Sequence, residues 1–221
     1  MLLLFHLLTG VVLGLFIYRL TGRKVAVWIG AVGALLPDII DKPIGHLILH
    51  DSLDNGRLFG HTIVFLILLI MVGYVLRHRR EGLPLLVLAG GVLLHHLADS
   101  MFLDLTTWSW PLLGPLASET YADYFGDALW RELGSAYEWT FGLVSLLLII
   151  LVQRSGDWGQ MRLSIRSYND WLVPVLFLSS LVFAIAGMLT YHDSHWSAVP
   201  EWYMAASAAA GSALALTVLE K

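Results

Sequence analysis

Residues 90–100 read GGVLLHHLADS, an apolar run that ends in His95, His96 and Asp99. In a helix His95 and Asp99 share a face, and an imidazole and a carboxylate four residues apart can hold one cation, as paired histidines do in helical zinc motifs. His96 points about 100° away, toward a supporting place or a neighbour's hydrogen bond. The stretch LLPDIIDKP sets Asp38 and Asp41 three apart after Pro37, where a helix is expected to end or kink. Carboxylates emerging there can bind or bridge a cation, which would relieve the poor fit of acids at the negative end of a helix.

GRLFGHTIVF places Arg57 four residues before His61. The planar guanidinium suits an anion such as phosphate or pairs with a nearby aspartate, and His61 can ligate a metal or transfer a proton. His6 joins the candidate ligands, and Glu138 in AYEWTFG is a candidate general base or extra ligand. His192 and His195, in HDSH, read more simply as polar loop. The metal candidates are therefore His6, Asp38, Asp41, His61, His95 and Asp99, with Asp41, Glu138 and Arg57 as catalytic candidates.

The elements that must position these groups are apolar. The 221 residues are 57% hydrophobic and 14% charged, with a mean hydropathy of +0.73, whereas a soluble domain carries roughly 25% charged residues. Ionisable groups in such surroundings are costly and mark function. Cysteine is absent, which excludes disulfides and thiolate chemistry. No linker divides the chain, so 1–221 reads as one integral membrane domain. Apolar runs near the 17 to 25 residues needed to span a bilayer fall at 2–20, 25–40, 61–76, 83–103, 137–153, 171–191 and 201–219. The expected fold is an all-α, multi-pass helical bundle of about seven transmembrane segments, the second short or broken at Pro37.

With that alternation, ten of the thirteen basic residues fall on one side. The positive-inside bias makes that side cytoplasmic, so the N-terminus is extracytoplasmic and the C-terminus cytoplasmic, in a prokaryotic-type plasma membrane. The histidines and acids above then gather at the outer ends of the spans. Residues 104–136 form an outer loop in which Tyr121, Tyr124, Phe125, Ala128, Leu129 and Leu133 recur at helical spacing, with Asp123, Asp127 and Arg131 off the stripe. This predicts an amphipathic interfacial helix, either an anchor or a cover for the site. The pair of glycines in GVVLG at 10–14 fits helix packing.

These residues carry a resemblance. His6 with Gly10, LPDIID at 36–41, GRLFGHT at 56–62, and HHLADS at 95–100 followed by WSWP at 108–111 resemble the YdjM-like family of membrane-bound, metal-dependent hydrolases over about the first half of the chain. The resemblance marks His6, Asp38, Asp41, Arg57, His61, His95 and Asp99 as the site, and implies a further glutamate, either Glu132 or Glu138. Many members have a histidine before the arginine, where this chain has Gly56. Hydrolysis assisted by a divalent metal is expected, zinc first and manganese or magnesium as alternatives, on a phosphoester or lipid-like amphiphile at the outer face. An ion or proton transporter or channel, and a non-enzymatic metal-stapled scaffold, are the rival readings. The partners expected are the lipid bilayer and a small-molecule or lipid substrate, with no nucleic acid; the sequence does not set an oligomeric state.

Overall fold

The computed structural model describes residues 3–154, and among these residues the chain is helical with no strand. Helix α1 (Leu3–Thr21) is closed by Gly22, whose φ of 71° lets its N–H reach the Tyr18 carbonyl at 2.7 Å. That left-handed turn, which glycine adopts without steric penalty, reverses the chain into α2 (Val25–Pro43).

Helix α2 runs on through Pro37, correcting the expected break. Proline has no N–H to give the Gly33 carbonyl one turn back, and in the same turn the neighbouring Ala34 carbonyl accepts from His95 Nδ1 of the fourth helix at 2.7 Å. Neighbouring helices commonly satisfy backbone groups in this way in apolar surroundings. Asp38 and Asp41 therefore lie within the helix rather than beyond its end. One wider π turn (Ile44–Ile48) follows.

Thr62 caps α3 (Ile63–Val75) by accepting the Phe65 N–H, at 3.1 Å. Helix α4 (Gly82–Ala98) ends at Asp99, before Ser100 takes a φ of 53°. A single-turn α5 (Leu105–Trp108) precedes α6 (Tyr124–Gly134) and α7 (Ala136–Arg154), and α6 and α7 meet at 75°.

Small residues bring the first helices into backbone contact. A Cβ added to Gly10 would lie 2.4 Å from the Gly30 carbonyl oxygen, and one on Gly14 would lie 2.3 Å from Val27 Cα. Gly33 and Gly91 play the same part between α2 and α4, where added Cβ atoms would come 2.4 Å from the Leu88 carbonyl oxygen and 2.6 Å from the Ala34 nitrogen. Close approach through small residues is how helices associate where no water drives them together. Val11, Leu15 and Tyr18 of α1 share a core with Val27, Ala31 and Val152, which joins α7 to the pair. Helix α3 instead turns Leu68, Met71 and Val75 outward.

Of the expected spans, α1 is long and apolar enough to cross a membrane by itself, and α6 with α7 qualifies as one bent span. Helices α3 and α4 are apolar but have 13 and 17 residues, or roughly 20 and 26 Å at 1.5 Å per residue. The apolar runs are longer than the helices because His61 and Thr62 precede α3, while Asp99 and Ser100 turn the chain out of α4. The described residues thus support one or two such spans in place of the first five expected, and the two spans expected at 171–191 and 201–219 lie outside them.

The α1–α2 seam predicts an asymmetric glycine response. Gly10→Ala should destabilise the protein by about 1–3 kcal/mol, because overpacking forces the backbones apart. Gly134→Ala, with nothing within 4 Å of the new Cβ, should be neutral or slightly stabilising. Thermal unfolding in detergent, followed by circular dichroism, compares the two; equal melting temperatures would refute the seam as described.

Candidate metal centre

Four segments deliver the polar groups. Helix α1 supplies His6 in its first turns, α2 supplies Asp38, α4 supplies His95 with Asp99 at its end, and the loop before α3 supplies His61. All five side chains are buried to 5% exposure or less. The His6 and His95 rings stack at 4.1 Å, and His6 Nε2 lies 3.1 Å from Asp99 Oδ1.

The histidine protons can be assigned from their partners. His95 Nδ1 faces the Ala34 carbonyl at 2.7 Å, which can only accept, so Nδ1 carries the hydrogen. His61 Nδ1 faces the Asp41 carboxylate at 2.7 Å and likewise donates. In each neutral ring the lone pair is then on Nε2, and these two Nε2 atoms face each other at 3.1 Å. Opposed lone pairs repel unless a cation or proton lies between them. Zinc–nitrogen bonds of about 2.0–2.1 Å at a tetrahedral angle place two ligands roughly 3.3 Å apart, close to this separation.

The surrounding oxygens favour a metal over a proton. Asp38 Oδ1 stands 3.6 Å from His61 Nε2 and 3.9 Å from His95 Nε2, and Asp99 Oδ2 stands 4.0 Å from His61 Nε2. Asp38 is buried with neither oxygen hydrogen bonded; the Lys42 ammonium pairs with Oδ2 at 3.3 Å but off hydrogen-bond geometry. Ligand atoms of His6, Asp38 and His95 lie within 4.8 Å of one another, as do those of His61, His95 and Asp99. Buried carboxylates without donors are costly, and imidazole with carboxylate is a donor set suited to zinc and its neighbours in the transition series. The residues fit a divalent cation.

Two of the expected site residues have other work, which corrects the sequence reading. Asp41 is fully buried. Its oxygens accept from the N–H groups of Leu58, Gly60 and His61 at 2.8, 2.8 and 3.0 Å, besides His61 Nδ1. It braces the loop and orients His61, and it neither joins the two donor groups nor lines the cavity over them. Glu138, also buried, accepts the Leu4 N–H at 2.6 Å and the Phe5 N–H at 3.3 Å. It closes the start of α1, where a carboxylate meets the positive end of the helix dipole, and it does not line the cavity over the donors. His96 is a brace as well, since its Nε2–H donates to the Gly60 carbonyl at 2.9 Å and its Nδ1 accepts from Trp108 Nε1 at 3.2 Å.

Above the donors opens a cavity of about 290 Å³, lined on its floor by Asp38, His61 and Asp99. Arg57 lines it too, donating one Nη2–H to Asp99 Oδ2 at 3.1 Å. Helix α6 forms part of the wall, but with Tyr124, Ala128, Arg131 and Glu132 turned inward. Phe125, Leu129 and Leu133 are exposed, so the stripe is divided: Tyr121, Tyr124 and Ala128 line the cavity beside Arg131, and the other three face outward. Apolar residues on a helix bordering a membrane can turn away from the protein because lipid, not water, is the alternative.

The cover is tied down by groups absent from the sequence reading. Asp54 Oδ1 accepts from His46 Nδ1 at 2.8 Å, and its Oδ2 accepts the Tyr121 N–H at 2.6 Å. The imidazole beside it and the Tyr121 amide hold the Asp54 carboxyl below the ordinary carboxylate range. Asn55 Nδ2 donates to the Ala117 carbonyl at 2.9 Å, and His46 stacks on Tyr124 at 3.5 Å. The Tyr121 hydroxyl donates to Glu119, which with burial pushes its pKa up to about 12. Lys42 was detectable by its i,i+4 spacing from Asp38; no local pattern signals His46 with Asp54, or turns Arg131 inward. His192 and His195 lie outside the described residues.

A family model described as YdjM inner membrane protein matches residues 1–192, and the chain belongs to that family. No curated protein and no solved structure matches it.

The brace on His61 can be tested directly. Asp41→Asn removes the negative acceptor that sets the His61 tautomer, and loss of such a partner typically weakens metal affinity about 10- to 100-fold. Isothermal titration of the purified variant with zinc should show that loss. An unchanged affinity would remove Asp41 from any part in organising the site.

Proposed function

We propose that this member of the YdjM inner membrane protein family is a membrane-embedded, metal-dependent hydrolase acting on a phosphoester or lipid-like amphiphile at the outer face of the membrane. The observation that carries the reading is the pair of opposed Nε2 atoms, 3.1 Å apart, under a cavity that Asp38, Asp99 and Arg57 also line. His6, Asp38, His61, His95 and Asp99 would hold the cation, with zinc preferred and manganese or magnesium as alternatives. When bound, such a cation supplies Lewis acidity and lowers the pKa of water toward about 7.

The chain's own groups then have separate tasks. The Ala34 carbonyl and Asp41 keep the His95 and His61 rings in the tautomers that aim Nε2 inward. Asp38 replaces Asp41 and Glu138 as general base and divides its oxygens between two tasks. Oδ1, 3.6 and 3.9 Å from the two Nε2 atoms, would serve the cation. Oδ2 is the proton acceptor, since the residue lines the cavity and neither oxygen has a hydrogen-bond donor. Its Oδ2, beside Lys42, takes the proton of water as the water oxygen bonds to the phosphorus or acyl carbon. The bond to the alcohol oxygen breaks, and that oxygen recovers the proton from Asp38. Arg57 faces the anionic part of the substrate with the guanidinium nitrogens not given to Asp99.

The cavity at the donors argues against a closed metal staple, in which every position would be filled by protein. The clustering of the donors at one end of the helices argues against an ion path, which needs polar groups across the bilayer thickness.

Two experiments test this reading. Detergent-purified protein should contain zinc, His95→Ala should lose metal and activity together, and Arg57→Lys should keep the metal yet lose activity, since lysine cannot reproduce the planar fork. Activity is sought over a panel of phosphoesters and lipids; absence of hydrolysis across it, with a cation inaccessible to solvent, would leave the scaffold reading in its place. For topology, single cysteines at Ser118 and His78 are treated with an impermeant reagent in intact cells. Labelling at Ser118 alone is expected, and labelling at His78 alone would invert the arrangement.

A further inference from the structure

Three positive side chains on separate elements converge on the cavity: Lys42 from α2, Arg57 from the loop before α3, and Arg131 from α6. Resting on the hydrolase reading above, we propose that they form a receptor for a terminal phosphate, a phosphomonoester dianion held over the cation.

The charges of the lining favour this class of ligand. Asp38, Asp99, Glu119 and Glu132 line the same cavity, so four carboxylates against three cations leave it one charge negative. A divalent cation reverses that sign, making anion binding conditional on the metal. Lys42 pairs with Asp38 and Arg57 with Asp99, whereas Arg131 faces the cavity with no carboxylate in ion-pair contact among the described residues. A phosphomonoester offers three non-bridging oxygens and is mostly a dianion above its second pKa of about 6. Its three oxygens and two charges would suit a cation held by the donors together with Arg57 and Arg131, which line the same cavity. A diester has two such oxygens and one charge, and leaves one side of the receptor without a partner.

Size and surroundings limit what carries the phosphate. At about 290 Å³ the cavity is at the small end of ligand sites, which run from about 300 to 1,000 Å³. It accepts a headgroup but not an acyl chain. Beside it, α6 exposes Phe125, Leu129 and Trp130, an apolar face of the kind that lies in a membrane interface. A lipid headgroup and a soluble phosphate ester share the recognised chemistry.

The test uses full-length protein in detergent, loaded with one equivalent of zinc and titrated calorimetrically with inorganic phosphate or dimethyl phosphate. Phosphate should bind at least tenfold more tightly than dimethyl phosphate, and at least tenfold more weakly to the metal-free protein. Arg131→Gln should weaken phosphate binding tenfold or more while leaving zinc affinity unchanged, and Lys42→Met should weaken it in the same direction. Equal affinity for the two probes, or phosphate binding indifferent to both substitutions, overturns the proposal and leaves the metal centre standing. A protein that takes up no zinc overturns the metal reading and this proposal with it. Vesicles of phosphatidic acid that compete with phosphate, beside phosphatidylcholine vesicles that do not, assign the group to a lipid; competition by a soluble phosphomonoester alone assigns it to a soluble ester.

Discussion

Asp41 is shut off from solvent and receives four hydrogen bonds, three from backbone N–H groups of residues 58–61 and one from the His61 ring. An ionised carboxylate in an apolar interior is costly unless it is hydrogen bonded, and the loop is the partner that makes this one tolerable. The constraint works in both directions. The amides of 58–61 find in Asp41 the acceptor that a loop over an apolar bundle otherwise lacks, and the loop is thereby fixed over α2. His61 is carried to His95 as a consequence, and its tautomer is set by the same bond. Gly60 is required at the contact, since a Cβ there would lie 2.8 Å from Pro37 Cα.

A second constraint acts on the helices. Apart from His61, the donors come from α1, α2 and α4, and they meet because glycine and alanine let those backbones touch. The stack of His6 on His95 at 4.1 Å belongs to that geometry, because the α1–α2 and α2–α4 seams set how far apart the two rings can stand. Glu138 secures the arrangement from the side of α7 by holding the first N–H groups of α1, and with them the turn that carries His6. Residues remote from the donors thus fix their spacing, which must be held to within a few tenths of an ångström for a cation to be shared.

The site has two layers of opposite chemistry. Imidazoles and carboxylates below offer lone pairs and negative charge; Arg57, Lys42 and Arg131 above offer N–H donors and positive charge. The cover that supplies Arg131 is attached through Asp54, Asn55 and His46, not through a large apolar core, and its Phe125, Leu129 and Leu133 look outward. Such an attachment positions the cover without filling the space beneath it.

Much of this was legible in the sequence. Ionisable residues are rare in an apolar chain, so His6, Asp38, His61, His95 and Asp99 stand out by type alone, and the four-residue spacing of His95 and Asp99 is enough to put them on one helical face. The small-residue seam at Gly10 and Gly14 and the existence of α6 follow equally from local pattern. The tertiary structure decided how each polar group is used. Asp41 and Glu138 look like Asp38 in sequence, yet they differ in which backbone N–H groups reach them, and those donors come from segments 17 to 20 and 133 to 134 residues away. Pro37 reads as a helix end, yet α2 runs on through it where α4 packs against the preceding turns, and Arg131, off the apolar stripe, is brought to the cavity only by the placing of α6 over the donors. Residue type and helical periodicity state what a side chain can do; its unused lone pairs and charge depend on long-range packing, which local spacing does not encode.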